Sequence, residues 1–429
     1  MAIDPTPRIA LRPQNGAKHR PFQGLTHQGW WNLGFVAAGF LLAAYSALSI
    51  RNRGLFEYWG ADYRAFRASA EVARESGYAA VYDLAAQDGA QRPMFEEYAA
   101  ASVQKDYAVI PTPYLPVFIV PMHSLLLLPP VQGWIAWMVV QAAILLLYFR
   151  RVRNALAPLR GPSPLALFVA LPAFFTVAFG QVNLLILIGL CEFLLALRRD
   201  KDVEGGLWLS LLMVKPQLLV LILPALLIQR RWSVLATAAA GCLGVVVASV
   251  LLAGREGMSS LIGLWLGYTA QMPTTYPESM MNWRSLMLNL RPVIGVVASW
   301  SIALVGTLGS AAAGLFIWLR RGRQDEVVNA GTGIYAMTSV VAWHAHVHLA
   351  LPLLGTLFAL KRGDGEPAEW LNSVILFPTL AFALVGIFVD AGAAHRLAGM
   401  LFFAINLALG ARLSVWALGS KRESQRLEP

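Results

Sequence analysis

Long apolar runs alternate along the chain with short polar breaks. Six runs, at 29–50, 131–148, 233–253, 294–319, 370–389 and 397–418, reach or approach the roughly 20 residues a helix needs to cross about 30 Å of hydrocarbon. Shorter apolar runs between them are separated by a few polar residues. In lipid, every backbone N–H and C=O has to be paired within the protein, so such runs predict helices. The pattern predicts an all-α, polytopic membrane protein.

Composition sharpens this. The 429 residues are 57% hydrophobic and 14% charged, against about 25% charged in soluble domains. A net charge of +10 raises the question of a nucleic-acid partner, but the basic residues cluster beside apolar runs, where they encode orientation across a membrane. No nucleic-acid partner is expected; the surroundings are membrane lipids. The clusters include Arg150, Arg151 and Arg153, then Arg198, Arg199 and Lys201, then Arg230 and Arg231, then Arg320, Arg321 and Arg323. Taking every arginine-rich break as cytoplasmic gives about twelve transmembrane helices with both termini inside. A single transmembrane domain at 29–418 is then flanked by cytoplasmic tails at 1–28 and 419–429. Cys191 and Cys242 lie within apolar runs and read as small hydrophobes, with no disulfide or metal framework.

Two long stretches, 51–130 and 254–291, fall on the outer side. The segment 113–130 is apolar but holds Pro113, Pro116, Pro121, Pro129 and Pro130, which interrupt a helix ladder. It reads as an in-plane or re-entrant element. After the first run, Tyr63, Phe66, Ala70 and Ala73 recur at helical spacing and predict an amphipathic helix at the membrane surface. Asp62 stands at its start, suited either to cap the helix or to do chemistry.

The remaining polar residues of interest lie in outer turns. Gln181 and Asn183 follow Gly180. Lys215 stands alone between apolar stretches, beside Gln217; an isolated lysine there either snorkels or meets an anion such as phosphate. Asn282 and Arg284 occupy the second long stretch, and Arg284 is either a phosphate fork or an ordinary interfacial charge. His344, His346 and His348 crowd one turn. His344 and His348 would share a face in a helix, but with no HExxH pattern a hydrogen-bonding role is preferred to a metal site.

Taken in order, these motifs resemble integral membrane glycosyltransferases of family 87, in the C-type superfamily. The resemblance rests on Asp62-Tyr63 through Gly77 to Tyr82-Asp83, on Tyr114-Leu115-Pro116 with Pro121, and on Gly180-Gln181-Val182-Asn183. It continues through Lys215-Pro216-Gln217, Gln229-Arg230-Arg231-Trp232, Asn282 to Leu286, and the histidine turn. Two places depart from the family pattern: Leu115 stands where Tyr-Pro-Pro is common, and Ala342-Trp343 where a Ser-Pro pair is.

The resemblance implies a C-type fold and an inverting transferase located in the bacterial plasma (inner) membrane with its active site outside. The donor it implies is a polyprenyl-phosphate sugar, mannose first and arabinofuranose second, and the acceptor a glycolipid or glycan hydroxyl. Family members include actinobacterial mannosyltransferases of phosphatidylinositol mannoside synthesis and arabinofuranosyltransferases of arabinan branching. Asp62 is the implied general base. Lys215, Arg284 and the three histidines are candidates for the donor phosphate, and Gln181, Asn183, Gln217, Tyr63 and Asn282 for sugar or acceptor. No cofactor and no metal ligand is expected. The rival readings are a transporter or flippase, for which Glu192 deep in an apolar run is the one acidic cue, and a lipid-linked oligosaccharide ligase.

Overall fold

The computed structural model describes residues 27–104, 107–156, 164–271, 276–321, 326–357 and 369–426. Arg323 and the further basic breaks that fix the expected orientation, at 8–20 and 361–362, lie outside these residues. Among the described residues the chain is all helical, with an isolated bridge between Gly54 and Ala99 and no strand.

Each of the six long apolar runs becomes a long helix: α1 (His27–Arg53), α4 (Pro130–Leu156), α10 (Trp232–Gln271), α12 (Val296–Leu319), α15 (Glu369–Phe388) and α16 (Ala391–Arg426). All six are long and apolar enough to span a membrane. The other apolar runs form shorter pieces: α5 (Pro164–Val169), α6 (Leu171–Phe179), α7 (Asn183–Arg198), α8 (Asp202–Ser210), α9 (Ile222–Ile228), α13 (Val327–Val341) and α14 (Leu351–Leu357).

Two of the expected loops are more regular than the sequence suggested. Helix α10 runs to Gln271, broken at Gly254, where φ is 64°, and α11 (Trp283–Ile294) follows. Much of the stretch read as a second outer loop is therefore helical. Likewise α16 stays helical to Arg426, into the expected C-terminal tail. The proline-rich segment folds as 3₁₀ turns, Pro116–Phe118 and Val120–Leu127. Proline withholds the N–H that a continuous α-helix needs. The second turn is held against α2 by Arg67, which donates to the carbonyls of Leu125 and Leu128.

Helix α2 (Ala61–Ser76) forms where its periodicity predicts. It is followed by α3 (Leu84–Tyr98), capped by Asp83, which accepts from Ala85 N at 2.8 Å. Yet α2 does not lie on a surface: Tyr63, Arg64, Ala65, Phe66, Ala68, Ser69, Ala70, Val72 and Ala73 are all buried. On its polar side, Ser69 Oγ donates to Thr112 at 2.8 Å and accepts from Gln87 at 2.9 Å. The amphipathic face is covered by protein on both sides.

Glu192 in α7 is buried and receives Arg151 of α4 at 2.7 and 3.1 Å and Tyr148 at 3.2 Å. A buried carboxylate demands such partners; here it staples two helices. At the far end of α9 from Lys215, Gln229 Oε1 accepts from Trp318 and Arg321, each at 3.0 Å, and Arg231 pairs with Asp202 at 3.1 Å. The Gln229–Trp232 motif is thus a clamp between helices.

Candidate active site

The site begins with two glycines in the left-handed region. Gly60 (φ 71°) precedes α2, and Gly180 (φ 83°) ends α6. Such backbone suits glycine because no Cβ is present to clash. Gly60 N donates to Ala178 O at 2.9 Å, and a Cβ on Gly180 would lie 2.7 Å from Tyr63 Cβ. The two turns therefore touch, fastened by Trp134 and Trp137 of α4, which donate to Ala178 O and Gly180 O at 3.2 and 3.0 Å.

This contact carries Asp62 to Gln181. Gly60 occupies the cap position with no side-chain cap, so Asp62 is not the helix cap that its sequence position allowed. It sits in the first turn, at the positive end of the helix dipole, and takes a hydrogen bond from the Gln181 side chain. Burial raises its pKa from 3.8 to about 6, against the opposing pull of Lys215, the Gln181 hydrogen bond and Arg64. Part of the residue remains open to the adjoining cavity.

Lys215 is placed by its neighbour. A proline disfavours helical backbone in the residue before it, and Lys215, preceding Pro216, adopts φ −140° and ψ 78° between two 3₁₀ turns. Its buried ammonium donates to Gln181 Oε1 at 3.2 Å and Asn183 Oδ1 at 3.0 Å. Tyr114 adds a donor to Gln181 Oε1 at 3.4 Å. Gln181 therefore bridges a carboxylate and an ammonium, one on each end of its amide.

The histidine turn is not helical: the chain bends from Ala342 to His346, and a 3₁₀ turn begins only at Val347. The face that His344 and His348 would share in a helix does not form. The rings follow one another instead, His344 to His346 at 4.9 Å and His346 to His348 at 5.6 Å between centroids. Burial, then His346, Lys215 and Arg284, hold the His344 pKa well below 6.5, so it offers neutral hydrogen bonding. Among the described residues, no group of three or more His, Cys, Asp or Glu is arranged to hold a metal ion.

Three side chains fix this turn. Gln217 donates to His344 O at 3.4 Å, and Asn282 donates to Ala342 O and Trp343 O at 2.8 and 3.1 Å while its Oδ1 accepts from Ser285 N at 2.9 Å. Arg284 lies over the Trp343 ring, 4.5 Å from its centroid. Both ends of the Asn282 amide are engaged by backbone, which makes it a strut. Tyr63 is fully buried, stacked on Phe56 at 6.1 Å.

A cavity of about 220 Å³ brings Asp62, His346 and His348 to one space. Four further lining residues were not singled out from sequence: Glu57, Tyr58, Arg64 and His395. His395 Nδ1 lies 2.7 Å from Ala391 O, and its ring stacks between Tyr58 and Phe175 at 5.5 and 5.4 Å. Since a carbonyl only accepts, Nδ1 carries the proton. In the sequence, His395 sits in a short polar break between two apolar runs, at 370–389 and 397–418, and Arg64 is close to Asp62; neither position marks a cavity residue.

A model of glycosyltransferase family 87 matches residues 112–346, more than half of the chain. The chain belongs to glycosyltransferase family 87. No curated protein and no solved structure matches it. For a family 87 enzyme the matched span is informative: it contains Gln181, Asn183, Lys215, Gln217, Asn282, Arg284, His344 and His346, and it stops short of Asp62, Arg64, His348 and His395. The protein is thus a membrane glycosyltransferase whose cavity joins residues inside and outside the matched span.

Proposed function

We propose that this glycosyltransferase moves one sugar, mannose or next arabinofuranose, from a polyprenyl-phosphate donor to a hydroxyl of a glycolipid or glycan, with inversion. The observation that carries the reading is the Asp62–Gln181–Lys215 bridge beside the cavity. An acceptor oxygen attacks the anomeric carbon and its proton passes to the Asp62 carboxylate. The anomeric C–O bond breaks, and its electron pair leaves on the phosphate of polyprenyl phosphate. A base works best with a pKa near the working pH, and a value of about 6 suits that task. The geometry resembles the inverting glycosidase scheme, in which a carboxylate deprotonates the incoming nucleophile.

Negative charge gathers on the departing phosphate, where preorganised donors in a poorly hydrated site are most effective. Lys215, Arg284 and the histidine turn supply them, while Gln181, Asn183 and Gln217 present amides to sugar hydroxyls or phosphate oxygens. Six helices are long and apolar enough to cross a membrane; in this reading the short helices, paired across their polar turns, add the remaining crossings of a C-type fold with about twelve. Arginine-rich ends on the cytoplasmic side of the bacterial plasma membrane leave the site outside. Glu192, the cue for a transporter, is already paired with Arg151 and Tyr148, which favours the enzymatic reading.

The test is transfer by the purified full chain in vesicles supplied with polyprenyl-phosphate mannose or arabinofuranose and an acceptor lipid extract. Release of polyprenyl phosphate with an inverted glycoside is expected. Asp62→Asn should lose about 10²- to 10⁴-fold in rate while binding donor as before. Transfer from a polyprenyl-pyrophosphate oligosaccharide alone would establish the ligase instead, and full activity in Asp62→Asn would remove the proposed base.

A further inference from the structure

Arg64 lies two residues beyond Asp62 on α2 and lines the same cavity, yet the scheme above leaves it without a task. Its side chain is only 2% exposed. Nη2 donates to Ala108 O at 3.0 Å, and the guanidinium stands over Phe95 at 4.9 Å and Tyr107 at 5.3 Å. These contacts fix its plane. Nε and Nη1, however, are buried with no hydrogen-bond partner among the described residues.

The cavity carboxylates have other partners. Glu57 pairs with Arg53 at 2.5 Å, and Asp62 is bound by Gln181. Asp62 and Glu57 act on the Arg64 guanidinium through space, but two of its buried nitrogens have no acceptor among the described residues, and donors left unmade in a buried site are costly. Arginine's planar fork also matches carboxylate and phosphate geometry. The aromatic supports hold the fork in one orientation.

We propose that Arg64 binds an anionic group, carboxylate or phosphate, carried by the acceptor close to the hydroxyl that Asp62 deprotonates. This rests on the reading of Asp62 as the acceptor-side base. The cations assigned to the donor phosphate, Lys215 between two 3₁₀ turns and Arg284 at the start of α11, belong to other elements, and Lys215 reaches Asp62 through Gln181. Arg64 shares its helix with the base, and its end of the cavity is closed by Phe95, Ala108 and Ile110 of the first outer stretch. One ligand that meets both α2 side chains must carry its anion within a few ångströms of the reacting hydroxyl.

Binding by the detergent-purified full chain tests this without requiring turnover. The probes are methyl glucoside, methyl glucuronide, methyl glucoside 6-phosphate and polyprenyl phosphate, titrated against wild type, Arg64→Gln, Arg64→Lys and Lys215→Gln. Wild type is expected to bind one of the two anionic glycosides at least tenfold more tightly than methyl glucoside. Arg64→Gln should erase that preference and leave polyprenyl phosphate affinity within twofold, and Arg64→Lys should keep part of the preference.

Equal binding of the neutral and anionic glycosides by wild type overturns the proposal, and so does a preference that survives in Arg64→Gln. Loss of polyprenyl phosphate affinity in Arg64→Gln to the extent seen in Lys215→Gln assigns Arg64 to the donor and also overturns it. Should Arg64→Gln fail to fold, the wild-type comparison still decides. Failure of sugar transfer in the vesicle assay would count against the proposed reaction and leave this binding result standing.

Discussion

Helix α12 exposes Val297, Leu304, Val305 and Leu308, whereas in α13, to which it packs, every residue from Val327 to Val340 is buried. Among the described residues the same division separates the six long helices from the short helices α6, α7, α13 and α14, whereas the short helices α5, α8 and α9 still expose Phe168, Leu207 and Leu227. The long helices α1, α4, α10, α12, α15 and α16 present apolar side chains outward, as with Phe40, Leu251 and Phe388. The short helices α6, α7, α13 and α14 are enclosed by them. A long helix satisfies its own backbone, so lipid can surround it. A short one leaves orphan groups at its ends, and these are tolerable at membrane depth only inside protein or beside a polar cavity. In this enzyme the broken ends at Gly180, Lys215 and the histidine turn are where the polar side chains converge.

The comparison is broken most forcefully at the Gly180 turn. Gly180→Ala places a Cβ in the left-handed region and 2.7 Å from Tyr63 Cβ, straining backbone by about 1–3 kcal/mol and pushing α2 from Gln181. Transfer should fall by about a hundredfold or more, with a lower melting temperature. Unchanged activity would mean that Asp62 does not depend on this contact. Next comes Lys215→Met, which removes the ammonium but keeps the chain length. A hydrogen bond from a charged group is worth about 1.5–3 kcal/mol, so donor affinity should drop about 10- to 100-fold. Normal donor binding with reduced stability would make Lys215 only a pin for Gln181 and Asn183.

The pH profile sharpens the contrast further. The base proposed at Asp62 works only when ionised, and burial raises the Asp62 pKa to about 6. kcat/KM should therefore rise about tenfold per pH unit up to about 6 and level off above, and the residual rate of Asp62→Asn should lack that limb. A limb near pH 4 would show that the carboxylate is hydrated like any surface aspartate.

The two regions also differ in how much the sequence revealed. Long helices announce themselves, since a window of about 20 apolar residues has few other uses. Lys215 stood out for a related reason, since a charge beside hydrocarbon is expensive and needs a partner, while Asp62 stood out by its place at a helix start and by the family resemblance. Arg64 and His395 were hidden because lining a cavity depends on which elements meet. The helical period correctly buried Tyr63, Phe66, Ala70 and Ala73 and implied an open opposite face, but the 3₁₀ turns and α3 cover that face as well. Asn282 was read as a sugar or acceptor contact, and the histidines as donor-phosphate contacts crowded into one outer turn. The turn is held open by Asn282 and Gln217 bonding its carbonyls, and no residue pattern encodes such a backbone contact.

The smallest expected effect is the strictest check on the division itself. Leu187 of α7 is fully buried, with its Cδ1 only 2.9 Å from where a Cβ on Gly355 of α14 would lie, and Leu251 of α10 is 82% exposed. Leu187→Ala leaves a cavity that its rigid neighbours cannot fill and should cost about 2–5 kcal/mol. Leu251→Ala removes the same atoms from a face that mobile acyl chains can re-cover, so it should stay within about 0.5 kcal/mol. Unfolding both variants in the same lipid–detergent mixture measures the difference directly. If Leu251→Ala costs as much as Leu187→Ala, that face of α10 is packed against protein, and the separation between a lipid-facing shell and an enclosed catalytic interior fails at its plainest point.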